Sequence, residues 1–209
     1  MLDNYSKNID GVIYQVDKNH IQYDKEYVNS RYVKYGELSN YMGYLRLGNI
    51  VGSIGRIPDS VLDVGYGDGS FLKVCKNIVP NCYGYDVSTY PLPEGCIQAS
   101  SITENFYDVI TFFDSLEHFE DIDVVQDLKC NFISISVPHC HYDSDEWFSN
   151  WKHRRPNEHL WHFDKESLTN FMSRMGYELV SESNIEDTIR KNKETEINIL
   201  SCVFKNNKK

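Results

Sequence analysis

An apolar strand that runs into three glycines at alternate positions constrains this chain more than any other feature. Ser60-Val61-Leu62-Asp63-Val64 reads as a buried strand, and Gly65-Tyr66-Gly67-Asp68-Gly69 forces a tight turn into a helix carrying Phe71, Leu72, Cys75 and Ile78. Glycine takes positive φ without strain and lets the backbone approach a ligand with no β-carbon in the way. Further strands are expected at 82–86, around Ile97, at 107–113 and at 131–137, with a helix over 117–128 between the last two. Strands alternating with helices imply an α/β fold with a parallel, two-faced sheet. Asp164 then suits the N-cap of a helix with Leu168, Phe171, Met172 and Met175 on one face and Gly176 as its stop. Segments 177–181 and 197–204 close the sheet as an antiparallel pair.

The length, 209 residues with 41% hydrophobic content, suits one globular domain with a full-sized core. The longest apolar runs fall far short of the roughly 20 residues that a membrane-spanning helix needs. Met1–Asp10 holds two aspartates and no apolar stretch, so a secretory signal is not expected and a cytoplasmic location is. Twenty-one Lys and Arg against thirty-one Asp and Glu give a net charge of -10, which argues against broad nucleic-acid or lipid-surface binding. The six cysteines show no C-x-x-C pair and read as reduced thiols.

Two regions differ in texture. Residues 1–57 are polar and Tyr-rich, with Tyr27, Arg31, Tyr35, Leu38, Met42 and Leu45 at helical spacing and Gly36 and Gly43 as breaks. This predicts an N-terminal helical cap, in two pieces, ahead of a domain over 58–209. After Pro138 periodicity is absent for about 25 residues, a length that marks a functional loop, so 138–163 is read as a lid.

Asp86 ends the strand after the glycine turn, where a carboxylate can accept the hydroxyls of an adenosine ribose. A dinucleotide would bring an anionic pyrophosphate against Asp63 and Asp68, so a ligand with a cationic middle suits this turn better. S-adenosylmethionine, with a sulfonium and an ammonium and no phosphate, has that character. Val61-Leu62-Asp63-Val64-Gly65-Tyr66-Gly67-Asp68-Gly69 resembles motif I of the class I S-adenosylmethionine-dependent methyltransferases. Tyr107-Asp108-Val109-Ile110 with Asp114-Ser115-Leu116-Glu117-His118 resembles their fourth-strand motif, above all in the subgroup acting on small molecules and sugars. The resemblance covers residues 58–204 and implies a Rossmann-like doubly wound sheet, mostly parallel with an antiparallel last strand. It implies that Asp63, Gly65, Gly67 and Gly69 hold the methionine moiety, Asp86 the ribose, and that Asp114 lines the cleft near the sulfonium. Tyr66 and Ser101 complete the cofactor set, and both depart from the family's usual residues, a small one at 66 and a polar or acidic adenine contact at 101. Asp114-Ser115-Leu116-Glu117 does not resemble the Asn/Asp-Pro-Pro-Tyr/Phe motif of nucleobase amino methylation.

Six of seven histidines stand at 118, 139, 141, 153, 159 and 162. His139 and His141 project to one side of an extended segment and His159 and His162 resemble a one-turn pair, so a three-histidine metal site is conceivable, but no spacing matches a closed zinc motif, and no metal is expected. His118 and His139 follow parallel strands and are the candidate catalytic bases. Trp147, Phe148, Trp151, Trp161 and Phe163 carry too much apolar area for an open loop. Lys152-His153-Arg154-Arg155 offers counter-charge to an anionic acceptor, or surface pairs for Asp143, Asp145 and Glu146. Pro156 to Phe163 resembles a family segment in which Glu158 and His159 brace the acceptor side.

The expected reaction is in-line methyl transfer to a small, anionic acceptor. Two other readings share the strand–turn–helix: an NAD-dependent reductase, and a methyltransferase-like binding domain without turnover.

Overall fold

The computed structural model describes residues 2–19, 38–88, 90–190 and 197–208. Tyr27, Arg31, Tyr35 and Gly36, read above as part of the helical cap, lie outside the described residues. The N-terminal region departs from the helical expectation. Strands β1 (Tyr5–Lys7) and β2 (Ile13–Gln15) form an antiparallel hairpin, and only helix α1 (Leu38–Ile54) is helical among its described residues. The Asn8 side chain ties the hairpin loop by accepting the backbone N–H groups of Asp10 and Val12, and Gly11 takes a φ of 89°. This local turn chemistry decides the structure of residues 5–15, where a helical period is lacking.

Then follow β3 (Ser60–Val64), α2 (Ser70–Cys75), β4 (Asn81–Tyr85), β5 (Ile97–Gln98), β6 (Phe106–Phe113) and β7 (Lys129–Pro138). After them come α3 (Asp145–Asn150), β8 (Trp161–His162), α4 (Lys165–Arg174), β9 (Tyr177–Ser183), α5 (Asp187–Arg190) and β10 (Ile199–Asn206). The main sheet has seven strands in the order β5-β4-β3-β6-β7-β10-β9. Strands β5, β4, β3, β6 and β7 are parallel, and β10 runs antiparallel to both β7 and β9. This is the Rossmann-like doubly wound sheet expected from the sequence.

The sheet buries both faces, which is why β3 and β6 read as near-continuous apolar runs. Leu62, Val64, Ile110 and Phe112 join one core with Leu168, Phe171 and Met172 of α4; Val61, Val109 and Phe113 join a second with Leu47, Ile50, Phe71 and Leu72. The helix expected over 117–128 is two 3-10 segments, Leu116–His118 and Ile122–Asp127. Helix α2 stops at Cys75, leaving Ile78 exposed. Asp164 caps α4 with a reciprocal capping box through Ser167, as its sequence predicts.

The segment 138–163 is not structureless. It contains α3, and β8 adds to β2 as the third strand of a small sheet of order β1-β2-β8. Tyr5, Ile13, Cys140 and Phe148 form a separate apolar cluster beneath it.

Candidate active site

Strand order reverses between β3 and β6, so the segments that leave their carboxyl ends part and open a crevice. Gly65, Gly67 and Gly69 have φ of 77°, 55° and 71°, the left-handed conformation that the turn requires. A β-carbon on Gly65 would meet Ser115 Cβ at 2.7 Å, and one on Gly69 would meet Pro93 Cγ at 2.5 Å, so neither position admits a side chain without movement. Asp68 braces the turn by accepting Ser70 N at 2.9 Å and Ser70 Oγ at 2.6 Å.

A cavity of about 500 Å³ lies in the crevice, within the ~300–1,000 Å³ range of small-molecule sites. Asp63, Gly65, Tyr66 and Asp68 of the strand and glycine turn line it. So do Asp114, Glu117, His118, His153, Arg155, Glu158, His159 and Arg190, with Arg46 and Met42 of α1.

Asp63 is buried, and its Oδ1 accepts the Thr111 hydroxyl at 2.7 Å. Burial pushes its carboxyl up to about 6, against the Thr111 hydrogen bond and the nearby Arg46. Asp86 lies behind the turn, where it accepts Gly67 N at 2.9 Å and Ser88 N at 2.7 Å. Tyr66 packs inward, and its hydroxyl donates to Tyr90 O at 2.7 Å. Gly84 makes room for that ring, because a β-carbon there would stand 2.8 Å from Tyr66 Cδ1.

Asp114 has a φ of 53°, which turns its carboxylate back toward α1. Arg46 Nη2 donates to its Oδ2 at 3.0 Å, and Arg190 Nη2 donates to the same oxygen. Burial would raise this carboxyl, but Arg190 and Arg46 outweigh it and hold the group well below the usual carboxylate range. Both guanidiniums also bind the fully buried Glu186, Arg46 Nε at 2.7 Å and Arg190 Nη2 at 2.9 Å. Arg46 stacks on Phe113, its guanidinium carbon 4.3 Å from the ring centroid.

His118 stands across the cavity, its ring centroid 4.7 Å from that of His159. Burial lowers its pKa, so the imidazole is neutral near pH 7. His159 is lowered further, first by burial and then by His118 and Arg155. His153, held by Asn198 Oδ1 at 2.9 Å, is pushed down to about 4 by burial. Glu117 is shifted the other way: burial and the negative Asp114 raise it well above the carboxylate range.

Of the residues expected from sequence, Asp63, Gly65, Tyr66, Asp114 and His118 line one cavity. Gly67, Gly69 and Asp86 shape the turn behind it. Ser101 is set apart, its hydroxyl 3.2 Å from Thr103 Oγ1. His139 does not line the cavity; its ring packs at 4.2 Å on His141, and its backbone bridges Phe163. Of the two candidate bases, His118 lines the cavity, where its ring meets that of His159, and His139 does not. Physically, β7 carries Pro138 to the cavity wall and the next residue of an extended strand points the other way. In the basic cluster, only His153 and Arg155 line the cavity, and Arg155 Nη1 holds Glu158 at 2.9 Å. Sequence reasoning missed Arg46, Glu186 and Arg190: apart from the i,i+4 pair Glu186–Arg190 their partners are remote in sequence, and their surroundings carry no motif.

A doubly wound sheet with a glycine turn and an acidic residue at its switch point defines a nucleoside-binding α/β protein. The chain belongs to the methyltransferase domain family, whose model matches residues 44–182. No curated protein matches the chain. Among solved structures, it is similar to the 1,6-didemethyltoxoflavin-N1-methyltransferase of Burkholderia thailandensis, with bound 1,6-didemethyltoxoflavin and S-adenosylhomocysteine (12% identity, TM-score 0.62, covering 98% of this chain and 100% of that one). It is also similar to an S-adenosylmethionine-dependent methyltransferase of Clostridium acetobutylicum (10% identity, TM-score 0.59, 88% and 98% covered). A third is the plantazolicin methyltransferase BpumL in complex with a triazolic desmethylPZN analog and SAH (14%, 0.55, 88% and 91%). At these identities the likeness is one of fold. No helix among the described residues is long and apolar enough to cross a membrane.

Proposed function

We propose that the chain is an S-adenosylmethionine-dependent methyltransferase that acts on a small, anionic acceptor in the cavity between the glycine turn and the His118 wall. The observation that carries this reading is that one cavity joins a buried carboxylate, Asp63, at the turn to a wall of histidines and arginines opposite. Asp63 fits the donor because it is desolvated and short of positive charge, so a cationic ligand relieves what burial imposes. Gly65 lines the cavity, and its missing β-carbon lets the turn pack closely on Ser115. Asp86, whose oxygens each keep a lone pair beyond the backbone bonds they accept, holds the ribose hydroxyls.

When bound, S-adenosylmethionine supplies a methyl group on a cationic sulfur. The protein's own work is positioning, and alignment of two bound reactants contributes roughly 7–11 kcal/mol to such a step. Arg155, Arg46 and Arg190 can offer N–H donors to an acceptor oxygen, while Glu158, Asp114 and Glu186 balance their charge. His118, neutral at working pH, takes the acceptor's proton where the nucleophile enters protonated.

Calorimetry with S-adenosylhomocysteine tests the reading. Asp86→Ala should weaken binding ten- to hundredfold, from the loss of about 1.5–3 kcal/mol of charge-assisted hydrogen bonding. Unchanged affinity in that variant, or a larger thermal shift with NADH than with S-adenosylmethionine, overturns it.

A further inference from the structure

Glu117 has no evident reason to be a carboxylate. It is 1% exposed, it faces the cavity, and neither of its oxygens has a hydrogen-bond partner among the described residues. Buried polar groups are almost always partnered, by protein, water or an ion. His159 is likewise buried, and its Nδ1 has no partner among the described residues. His118 completes the group: its Nε2 is 3.9 Å from Glu117 Oε1, and its ring meets His159 edge to face. One donor atom from each of the three residues lies within 4.8 Å of the others.

We propose that Glu117, His118 and His159 form a binding site for one divalent first-row transition-metal ion on the acceptor side of the cavity. Two imidazole nitrogens and one carboxylate oxygen suit manganese, iron, cobalt or zinc, whereas magnesium and calcium favour oxygen alone. Ligand atoms at about 2.0–2.2 Å from such an ion stand about 3–3.5 Å apart, so the three donors close in by about 1 Å when it binds. The scaffold allows that small adjustment and little else. Leu160 N donates to Glu117 O at 2.8 Å and Trp161 Nε1 to Phe119 O at 2.7 Å, which ties the two ligand segments together. Glu158 Oε1 lies 4.0 Å from His159 Nε2, beyond hydrogen-bond reach, and places a carboxylate beside the ligating imidazole. The nearby guanidiniums do not bar a cation, since Arg46 and Arg190 are neutralised by Asp114 and Glu186, and Arg155 by Glu158. Three protein ligands leave coordination positions open to the cavity, for water or an acceptor oxygen. With the ion bound, His118 would be a ligand and no longer the base; coordination would lower the pKa of an acceptor hydroxyl, whose proton would pass to water.

The test uses tag-free, chelator-stripped protein titrated with cobalt(II), followed by calorimetry and by visible absorption. One ion per chain is expected, with an absorption spectrum of nitrogen and oxygen ligation. Glu117→Gln and His159→Asn should each weaken binding at least a hundredfold. His141→Ala, which alters the histidine pair outside the cavity, should leave it within twofold. No binding at 100 μM cobalt, or affinity lost in His141→Ala and kept in Glu117→Gln, overturns the proposal. Circular dichroism shows whether each variant is folded, and manganese(II) relaxation of the unmodified protein gives a readout free of any substitution. Calorimetry with S-adenosylhomocysteine on the same samples separates the two readings, because the donor end of the cavity shares no residue with this site.

Discussion

Asp63 sits where two demands oppose each other. Its folded-state pKa, about 6, lies above the ordinary value of 3.8, so the native protein holds its proton more tightly than the unfolded chain. Stability from this group is therefore greatest below about pH 4 and is lost as pH rises through 6, a loss of about 3 kcal/mol at most. Asp63→Asn should accordingly be more stable than the parent at pH 7.5, by about 1–3 kcal/mol, with the gain vanishing near pH 4.5 in parallel denaturant titrations. The same variant should bind S-adenosylhomocysteine at least tenfold more weakly at pH 7.5. Greater stability with unchanged affinity would show that the carboxylate serves the fold and not the ligand. This residue was legible in the sequence, because an acidic side chain inside an apolar strand just before a glycine turn is out of place for packing alone. Glu186 was not: it lies in a charged stretch, and besides its i,i+4 neighbour Arg190 its partner is Arg46, 140 residues away.

At the level of elements, α1 is the clearest departure from the sequence expectation. Gly43 reads as a break, yet the helix runs unbroken through it, because Gly43 is where α1 crosses α2. A β-carbon there would lie 2.9 Å from Val74 Cγ2 and 3.2 Å from Ser70 O, so the glycine allows close helix approach. Gly48, in the same helix, has nothing within 4 Å of its would-be β-carbon. The two should respond oppositely to alanine. Gly48→Ala should stabilise by up to about 1 kcal/mol through helix propensity, and Gly43→Ala should destabilise by about 1–3 kcal/mol through overpacking. Adding Val74→Ala to Gly43→Ala should recover part of that loss, and thermal or urea melts decide it. Arg46, one turn further along α1, anchors α5 over the cavity. Arg46→Met should lower stability by about 3 kcal/mol, since it removes one of the two guanidiniums from a buried carboxylate, and Arg46→Lys should fall between. The 3-10 turn at Leu116–His118 could not be read as such from sequence, since its apolar spacing also satisfies a helix.

On the scale of the whole molecule, the N-terminal hairpin is bound to the opposite end of the sequence. Ile13 pairs with His162 and Tyr14 with Trp161, while Asp10 grips Arg174 of α4 with contacts of 2.7–3.0 Å. Deleting residues 1–17 should therefore raise amide exchange across 145–163 by roughly tenfold or more while leaving β3 and β6 protected. Equal protection with and without the hairpin would place the rigidity of that segment in α3 and its aromatic cluster instead. The doubly wound sheet was readable because strand, turn and helix signals are local. The hairpin's partner was not, because a two-residue strand such as Trp161–His162 has no period of its own and is defined only by what lies beside it.

Strand β10, last in sequence among the described strands, is an interior strand of the sheet, seated between β7 and β9. During ribosomal synthesis both neighbours emerge earlier and wait with open hydrogen-bonding edges until residues 199–206 arrive. The nascent chain is therefore most prone to stick to its own kind before residues 199–206 emerge, and a premature stop ahead of Ile199 would leave that hazard permanent.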